Sequence, residues 1–325
     1  MAFAYSPCYY VVMKVFIFDP LWHKLVDEKL EQELVKSGVE VTVITEIKPL
    51  SETPELFAGD DERLLCINPD YVGWSLKNDD YKDIPNLKGI FTGSTGFGWV
   101  EHEEADKRGI PICNIKNFST EAVAEWAVTM MLNLARQTPR LIKDGFPLDF
   151  DADFMKYRGV QIKGKTAAII GLGHNGSAIA ERCAGLGMNV IYWSRTSESN
   201  SYKRVELDEL FKTADVIFPA FAKNDETNAL ITNELLATVK PSAIIIDIIE
   251  IENVQATILD MVKTGKLFGY GFEAKPATFN NYEGNIWSAP AYAWVTYESM
   301  YNGEAKLVEN IVNASNGKFP NKVNK

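Results

Sequence analysis

Residues 165–195 read KTAAIIGLGHNGSAIAERCAGLGMNVIYWSR, and this stretch decides the fold. Thr166–Ile170 is a short, wholly apolar run, the pattern of a strand buried on both faces of a parallel sheet. Gly171, Gly173 and Gly176 follow as GLGHNG, a GxGxxG pattern that leaves the strand and opens a helix reaching about Gly187. A second apolar strand, Asn189–Trp193, ends about twenty residues beyond the motif. A bare GxGxxG is weak; in a strand–turn–helix–strand setting it is the fingerprint of dinucleotide binding. The first glycine permits the tight turn, the second lets backbone approach a pyrophosphate, and the third lets helix pack on strand. His174 and Asn175 lie inside the same turn, where free amides at a helix N-terminus attract phosphate.

The end of the second strand sets the expected cofactor. An acidic residue there would hold the ribose 2′-hydroxyl of NAD. The chain has Ser194, Arg195 and Thr196. A hydroxyl and a guanidinium fork suit a 2′-phosphate, so NADP(H) is expected over NAD(H).

Outward from this stretch, strands and helices alternate over most of the chain, predicting parallel sheets covered on both faces. Strands are expected at residues 13–18, 41–44, 63–67, 90–92 and 112–114, then at 215–219, 243–249 and 268–272. Helices are expected at 21–36, 205–213, 233–239 and 254–264. A helix over 120–135, capped by Ser119 or Thr120, is apolar nearly all round. Such a helix is expected to be buried between domains or subunits. Residues 143–158, with Gly, Pro and several Asp, read as a loop.

At 325 residues the chain is long enough for two domains. A net charge of −11 gives no general attraction for phosphate backbones or anionic lipid, so neither nucleic acid nor a membrane is an expected partner. No run approaches the ~18 apolar residues of a membrane span. Cys8, Cys66, Cys113 and Cys183 form no CxxC pair and read as small buried groups in a reducing cytoplasm. His23, His102 and His174 are too scattered for a metal cluster. Residues 1–12 are apolar but lack a basic leader and a cleavage site, so they read as an extension or as sequence upstream of a misplaced start codon.

Several further segments carry a family resemblance. The glycine motif, PAFAKNDET at 219–227, KPSAIIIDIIEIENV at 240–254, GKLFGYGFE at 265–273, APAYAWVT at 289–296 and the closing VENIVNASNGKFPNKVN together resemble the D-2-hydroxyacid dehydrogenases. The resemblance implies a Rossmann-type doubly wound domain, residues 118–296. It is inserted into a smaller flavodoxin-like α/β substrate domain, residues 1–117 plus 297–325. It implies a small-molecule substrate in the interdomain cleft and a homodimer formed through the 120–135 helix region. It places Pro219, Thr227, Asp247 and Glu273 beside the cofactor, Glu273 where the family has an Asp near the carboxamide. It also implies that Ser94, Thr95 and Gly96, in the GSTG turn, hold the substrate carboxylate through backbone amides.

The family's chemistry uses an Arg, a His and an acid, and the sequence departs at all three. Glu250 stands at the Arg position, Ala291 follows Pro290 where the His belongs, and Lys275 precedes Pro276 where the acid belongs. Exchanging Arg for Glu turns attraction for a carboxylate into repulsion. At ~4 Å and an effective dielectric of ~20 the swing is several kcal/mol. Alanine transfers no proton, and losing the donor costs ~10²–10⁴ in rate. Glu250 and Glu252 would therefore favour a neutral or cationic substrate such as an amine, imine or polyol. Tyr292 and Lys275 are the candidate donors. The alternatives are a non-catalytic NADP(H)-binding protein with a regulatory or partner role, or the family activity carried by other residues.

Overall fold

A computed structural model describes residues 13–147, 154–224, 226–273 and 282–325. Cys8, Lys275 and the 1–12 extension lie outside the described residues. The chain divides into two compact units, Met1–Ser119 with Thr296–Lys325, and Thr120–Val295.

The first unit is built on a five-stranded sheet in the order β2-β1-β3-β4-β5. Its strands are β1 (Lys14–Phe18), β2 (Glu40–Ile44), β3 (Arg63–Ile67), β4 (Leu87–Thr92) and β5 (Ile112–Cys113). Every pairing is parallel, and 2-1-3-4-5 is the flavodoxin-like order. β3 is buried at every position, as a strand covered on both faces must be. One face carries Phe16, Leu65 and Ile90, the other Val15, Leu64 and Phe91. The C-terminal helix Tyr297–Ser315 returns to this unit, where Leu307, Val308 and Ile311 join Leu30 and Leu34 in one core.

The expected helix over 21–36 is two helices, Trp22–Leu25 and Glu28–Lys36. Asp27 breaks it. Its carboxylate accepts from the Leu30 amide at 3.0 Å, an N-cap that restarts the helix. At the C-terminal end of β1, Asp19 is 1% exposed and faces Glu304 of the last helix, which is 8% exposed. Burial pushes both carboxyls above their ordinary range, and the Asp19 charge pushes Glu304 further. Asn68 and the Leu21 amide donate to Asp19, while Glu304 Oε2 has no hydrogen-bond partner.

The second unit is built on a seven-stranded sheet in the order β12-β11-β10-β9-β6-β7-β8. These strands are β6 (Thr166–Ile170), β7 (Asn189–Trp193), β8 (Lys203–Arg204), β9 (Val216–Pro219), β10 (Ile244–Asp247), β11 (Gly269–Glu273) and β12 (Ile286–Ala289). All pairings are parallel. Chain direction across the sheet reverses between β6 and β9, the switch point where doubly wound sheets bind ligands. β8 and β12 lie outside the strands expected from the sequence. Helices cover both faces, the meaning of doubly wound. Leu210, Phe211, Leu236 and Ile258 pack on one face. Met130, Leu134, Ile179 and Cys183 pack on the other.

The helix Thr120–Ala135 has its expected bounds. Within this unit Met130, Met131 and Leu134 lie in the same core as β6 and β10. Arg182 of the neighbouring helix pairs with Glu121 and Glu125 along it. Within the expected 143–158 loop, a helix Thr138–Lys143 runs into its start and residues 154–156 make a helical turn. Cys66, Cys113 and Cys183 are free and buried. Burial pushes the Cys113 and Cys183 thiols up to about 12. Among the described residues no helix is long and apolar enough to cross a membrane, and no group of three or more His, Cys, Asp and Glu is placed to hold a metal.

Candidate cofactor and active site

β6 ends at Ile170, and the chain turns through Gly171–Leu172–Gly173 into the helix His174–Gly185. Gly171 has φ +97°, a conformation that disfavours any side chain. A Cβ there would also lie 2.8 Å from the backbone nitrogen of Phe221, so the turns after β6 and β9 abut at the switch point. A Cβ on Gly176 would lie 1.9 Å from the Gly171 carbonyl oxygen. Both glycines are therefore required for the backbone itself. Gly173 differs: a Cβ there would meet nothing within 4 Å. Open space thus lies over the residue that caps the helix. The helix's first amides point that way without intrahelical acceptors. A pyrophosphate fits this arrangement, with Gly173 giving the approach and the first-turn amides of His174, Asn175 and Gly176 the donors.

The next group of residues lies at the end of β7. Ser194 is buried, and its Oγ accepts from the Ser197 amide at 3.1 Å. Arg195 and Thr196 are exposed, and the Arg195 guanidinium pairs with Glu226. Arg204 of β8 donates to the Ser194 carbonyl at 3.1 Å. Sequence reasoning did not find Arg204 or Glu226. A two-residue charged strand has no apolar period to read, and the Glu226 contact spans 31 positions. Pro219 closes β9 and is buried. Thr227 folds its own loop, with Oγ1 donating to the Ala222 carbonyl at 2.7 Å and its amide donating to Asn224 Oδ1 at 3.2 Å.

Beyond β10 and β11 the rim is acidic. Asp247 is 1% exposed. Its two oxygens accept from the Ile249 amide at 3.0 Å, the Ile251 amide at 2.9 Å and the Tyr270 hydroxyl at 3.0 Å. It therefore holds the loop that carries Glu250. Burial raises its pKa against these stabilising bonds. Glu250 is exposed with φ +58°. Lys223, also missed from sequence, donates to the Glu250 carbonyl at 2.9 Å and pairs with Glu252 at 3.3 Å. These residues line a cavity of about 500 Å³ with Phe221, Thr227 and Asn253.

Glu273, at the end of β11, is half-buried, and its Oε1 accepts from the Ala293 amide at 2.9 Å. Burial raises its pKa, and the charges of Glu250 and Asp247 raise it further. Glu273 thus lies within electrostatic reach of both acids and anchors the loop that bears Ala291 and Tyr292. Ala291 is partly buried, and Tyr292 is 57% exposed.

In the first unit, the turn at 93–96 follows β4. Trp99 Nε1 donates to Ser94 Oγ at 3.1 Å and to the Gly96 carbonyl at 2.9 Å. Ser94 Oγ donates to the same Gly96 carbonyl at 2.7 Å, and Asn114 donates to the Thr95 carbonyl at 2.6 Å. The carbonyls are tied back, and the exposed Thr95 and Gly96 amides donate to no acceptor among the described residues. His102 binds Asp106 through Nδ1 at 2.8 Å, and His23 is exposed.

Residues 128–292 match the family model for the NAD-binding domain of D-isomer-specific 2-hydroxyacid dehydrogenases. The chain belongs to that family. It is 31% identical over 262 residues to a glyoxylate reductase of Thermococcus gammatolerans, covering 74% of this chain and 77% of the relative. It is 27% identical over 326 residues to a D-3-phosphoglycerate dehydrogenase of Archaeoglobus fulgidus. That alignment covers 94% of this chain and 58% of the relative's length. Among solved structures, an acyclic imino acid reductase in complex with NADPH and D-Arg superposes with a TM-score of 0.76 at 21% identity. The match covers 96% of this chain and all of that one, and at this identity it speaks to fold. The 2-hydroxyacid dehydrogenase fold and the oxidoreductase class follow from these likenesses. The flavodoxin-like and doubly wound sheets are the ones the resemblance implied.

Proposed function

We propose that this family member transfers hydride between NADP(H) and a small neutral or cationic substrate, an imine or amine ahead of a 2-keto acid. The observation that carries the reading is the acidic rim. Glu250 stands at the position of the family's carboxylate-binding Arg, and Glu273 lies within electrostatic reach of both Glu250 and Asp247. A substrate carboxylate brought here meets repulsion, and a protonated imine meets attraction.

When bound, the cofactor supplies the hydride. The chain's own residues do the rest. The Gly171–Gly176 turn holds the pyrophosphate, and Ser194, Arg195 and Thr196 receive the adenosine ribose. Pro219 and Thr227 shape the wall beside it. Glu273 orients the loop bearing Tyr292, whose hydroxyl is one candidate donor. A protonated imine carries its own proton, so the chemistry asks less of a side chain than ketone reduction does. Lys275 stays a second candidate. A homodimer through the 120–135 region accords with the exposed Leu132 there.

A second reading has its own support. Ala291 brings no proton to the position of the family's His, so a cofactor-binding, non-catalytic homologue with a regulatory or partner role is the alternative. The two separate by isotope transfer. NADPH deuterated at C4 is incubated with the protein and a panel of imines, and product mass is read. One added deuterium supports the enzyme reading. Tight NADPH binding with no labelled product from any imine or carbonyl compound supports the alternative. Unchanged rates in Tyr292→Phe would remove Tyr292 from the donor role.

A further inference from the structure

The end of β7 holds more charge than the sequence motif discloses. Arg195 is 58% exposed, and its guanidinium is engaged by Glu226 of the loop after β9. Asn224 Oδ1 accepts from the Glu226 amide at 3.0 Å and from the Thr227 amide at 3.2 Å, while Thr227 Oγ1 ties back to the Ala222 carbonyl. From the other side, β8 pairs with β7 so that Arg204 stands opposite Tyr192. The Arg204 guanidinium is bonded to the Ser194 carbonyl and lies 3.7 Å from Glu206. Two guanidinium groups thus flank the residue where a dinucleotide-binding sheet receives the adenosine ribose, and a carboxylate sits on each, Glu226 on Arg195 and, at the longer distance, Glu206 on Arg204.

We propose that Glu226 and Arg204 set the choice between the 2′-phosphate and the 2′-hydroxyl: Glu226 competes with a 2′-phosphate for Arg195, and Arg204 is the second cation that holds the phosphate. This inference rests on the reading that the Gly171–Gly176 turn binds a dinucleotide. A 2′-phosphate reaching Arg195 exchanges one anion for another, so the contact it gains is discounted by the contact Glu226 loses. An exposed pair of this kind is weak enough to be displaced. A dianionic phosphate can engage two guanidinium forks at once, which a single carboxylate does not match. NADH has no group that asks Glu226 to leave, so its affinity is indifferent to that side chain.

The test measures Kd for NADPH and for NADH, at one ionic strength, in the unaltered protein, in Glu226→Gln and in Arg204→Gln. Both side chains are exposed, and retained NADH binding reports that each variant is folded. Glu226→Gln is expected to tighten NADPH roughly 1.5- to fivefold, the scale of an exposed ion pair, with NADH unchanged. Arg204→Gln is expected to weaken NADPH about tenfold, the scale of one charge-assisted contact, again with NADH unchanged. An NADPH-to-NADH ratio that stays the same in both variants overturns the proposal. An unaltered protein that prefers NADH, with Glu226→Gln still tightening NADPH, leaves the proposal standing and overturns only the NADP(H) reading.

Discussion

The three glycines of the turn make different demands, and substitution by alanine should separate them. At Gly173 the backbone has φ −80°, which alanine adopts freely, and a Cβ meets nothing within 4 Å. Lost chain freedom in the unfolded state favours Gly173→Ala by ~0.4–1 kcal/mol. The poorer cap opposes it by a similar ~0.5–1 kcal/mol. Stability should therefore hold within about 1 kcal/mol, a Tm change of roughly 2–4 °C for a domain of this size. The new methyl, however, stands in the space we assign to the pyrophosphate. Losing one hydrogen bond to a charged group costs ~1.5–3 kcal/mol, or roughly 10–150-fold in Kd. Gly176→Ala should do the reverse damage. Its Cβ starts 1.9 Å from the Gly171 oxygen, so helix and turn must part by more than an ångström. Overpacking of that kind costs ~1–3 kcal/mol or more. The assay is thermal unfolding alongside NADPH binding by tryptophan quenching. A Gly173→Ala protein that keeps both its Tm and its NADPH affinity would refute the assignment of the pyrophosphate to this turn.

Other expectations follow from buried polar groups. The folded-state pKa values of Asp19 and Glu304 are raised, so the folded chain binds more protons than the unfolded one above the ordinary carboxylate range. Stability is then fully present below the unfolded values and declines as pH rises through the folded ones. Glu304→Gln should flatten that decline in urea unfolding followed across pH, and an unchanged slope would contradict it. Arg63 is 0% exposed and donates to the Asp61, Pro85 and Gly59 carbonyls. Arg63→Met should cost ~1–3 kcal/mol by taking the donor from these part-buried carbonyls, read as a lowered denaturation midpoint of the first unit. Asp247→Ala should cost ~1–3 kcal/mol by orphaning two amides and the Tyr270 hydroxyl. Faster hydrogen exchange at Ile249 and Ile251 should accompany it, and unaltered exchange would mean that the loop is held by other contacts.

The sequence disclosed those parts of the molecule whose physics is local. β6, its glycine turn and the helix Thr120–Ala135 each carry a complete signal within twenty residues, an unbroken apolar run or a motif. The break at Asp27 is also written locally, as an N-cap residue inside an apolar period that runs past it. β8 and β12 depend on what lies beside them. Lys203 and Arg204 are strand only because Ile191 and Tyr192 offer them a free edge. Ile286–Ala289, IWSA, follows a glycine and an asparagine and gains its identity from pairing with β11. The same holds for the site. Glycines and strand-end residues can be named as site candidates because position alone marks them. Lys223, Arg204 and Glu226 act through partners 10 to 31 positions away, and no spacing rule reaches that far. Asp247, marked from the sequence as a cofactor contact, has its carboxylate turned toward its own loop.

The central claim is that this member of the family has kept its cofactor turn and exchanged its preference for 2-keto acids. The most direct measurement is NADPH oxidation, followed at its near-UV absorbance, against glyoxylate, pyruvate and hydroxypyruvate, with NADH in parallel and cofactor binding verified by tryptophan quenching. The expected result is bound NADPH and no turnover of the three keto acids above background. Turnover at rates ordinary for this family would contradict it, and would mean that Glu250 and Ala291 have not emptied the site of its chemistry.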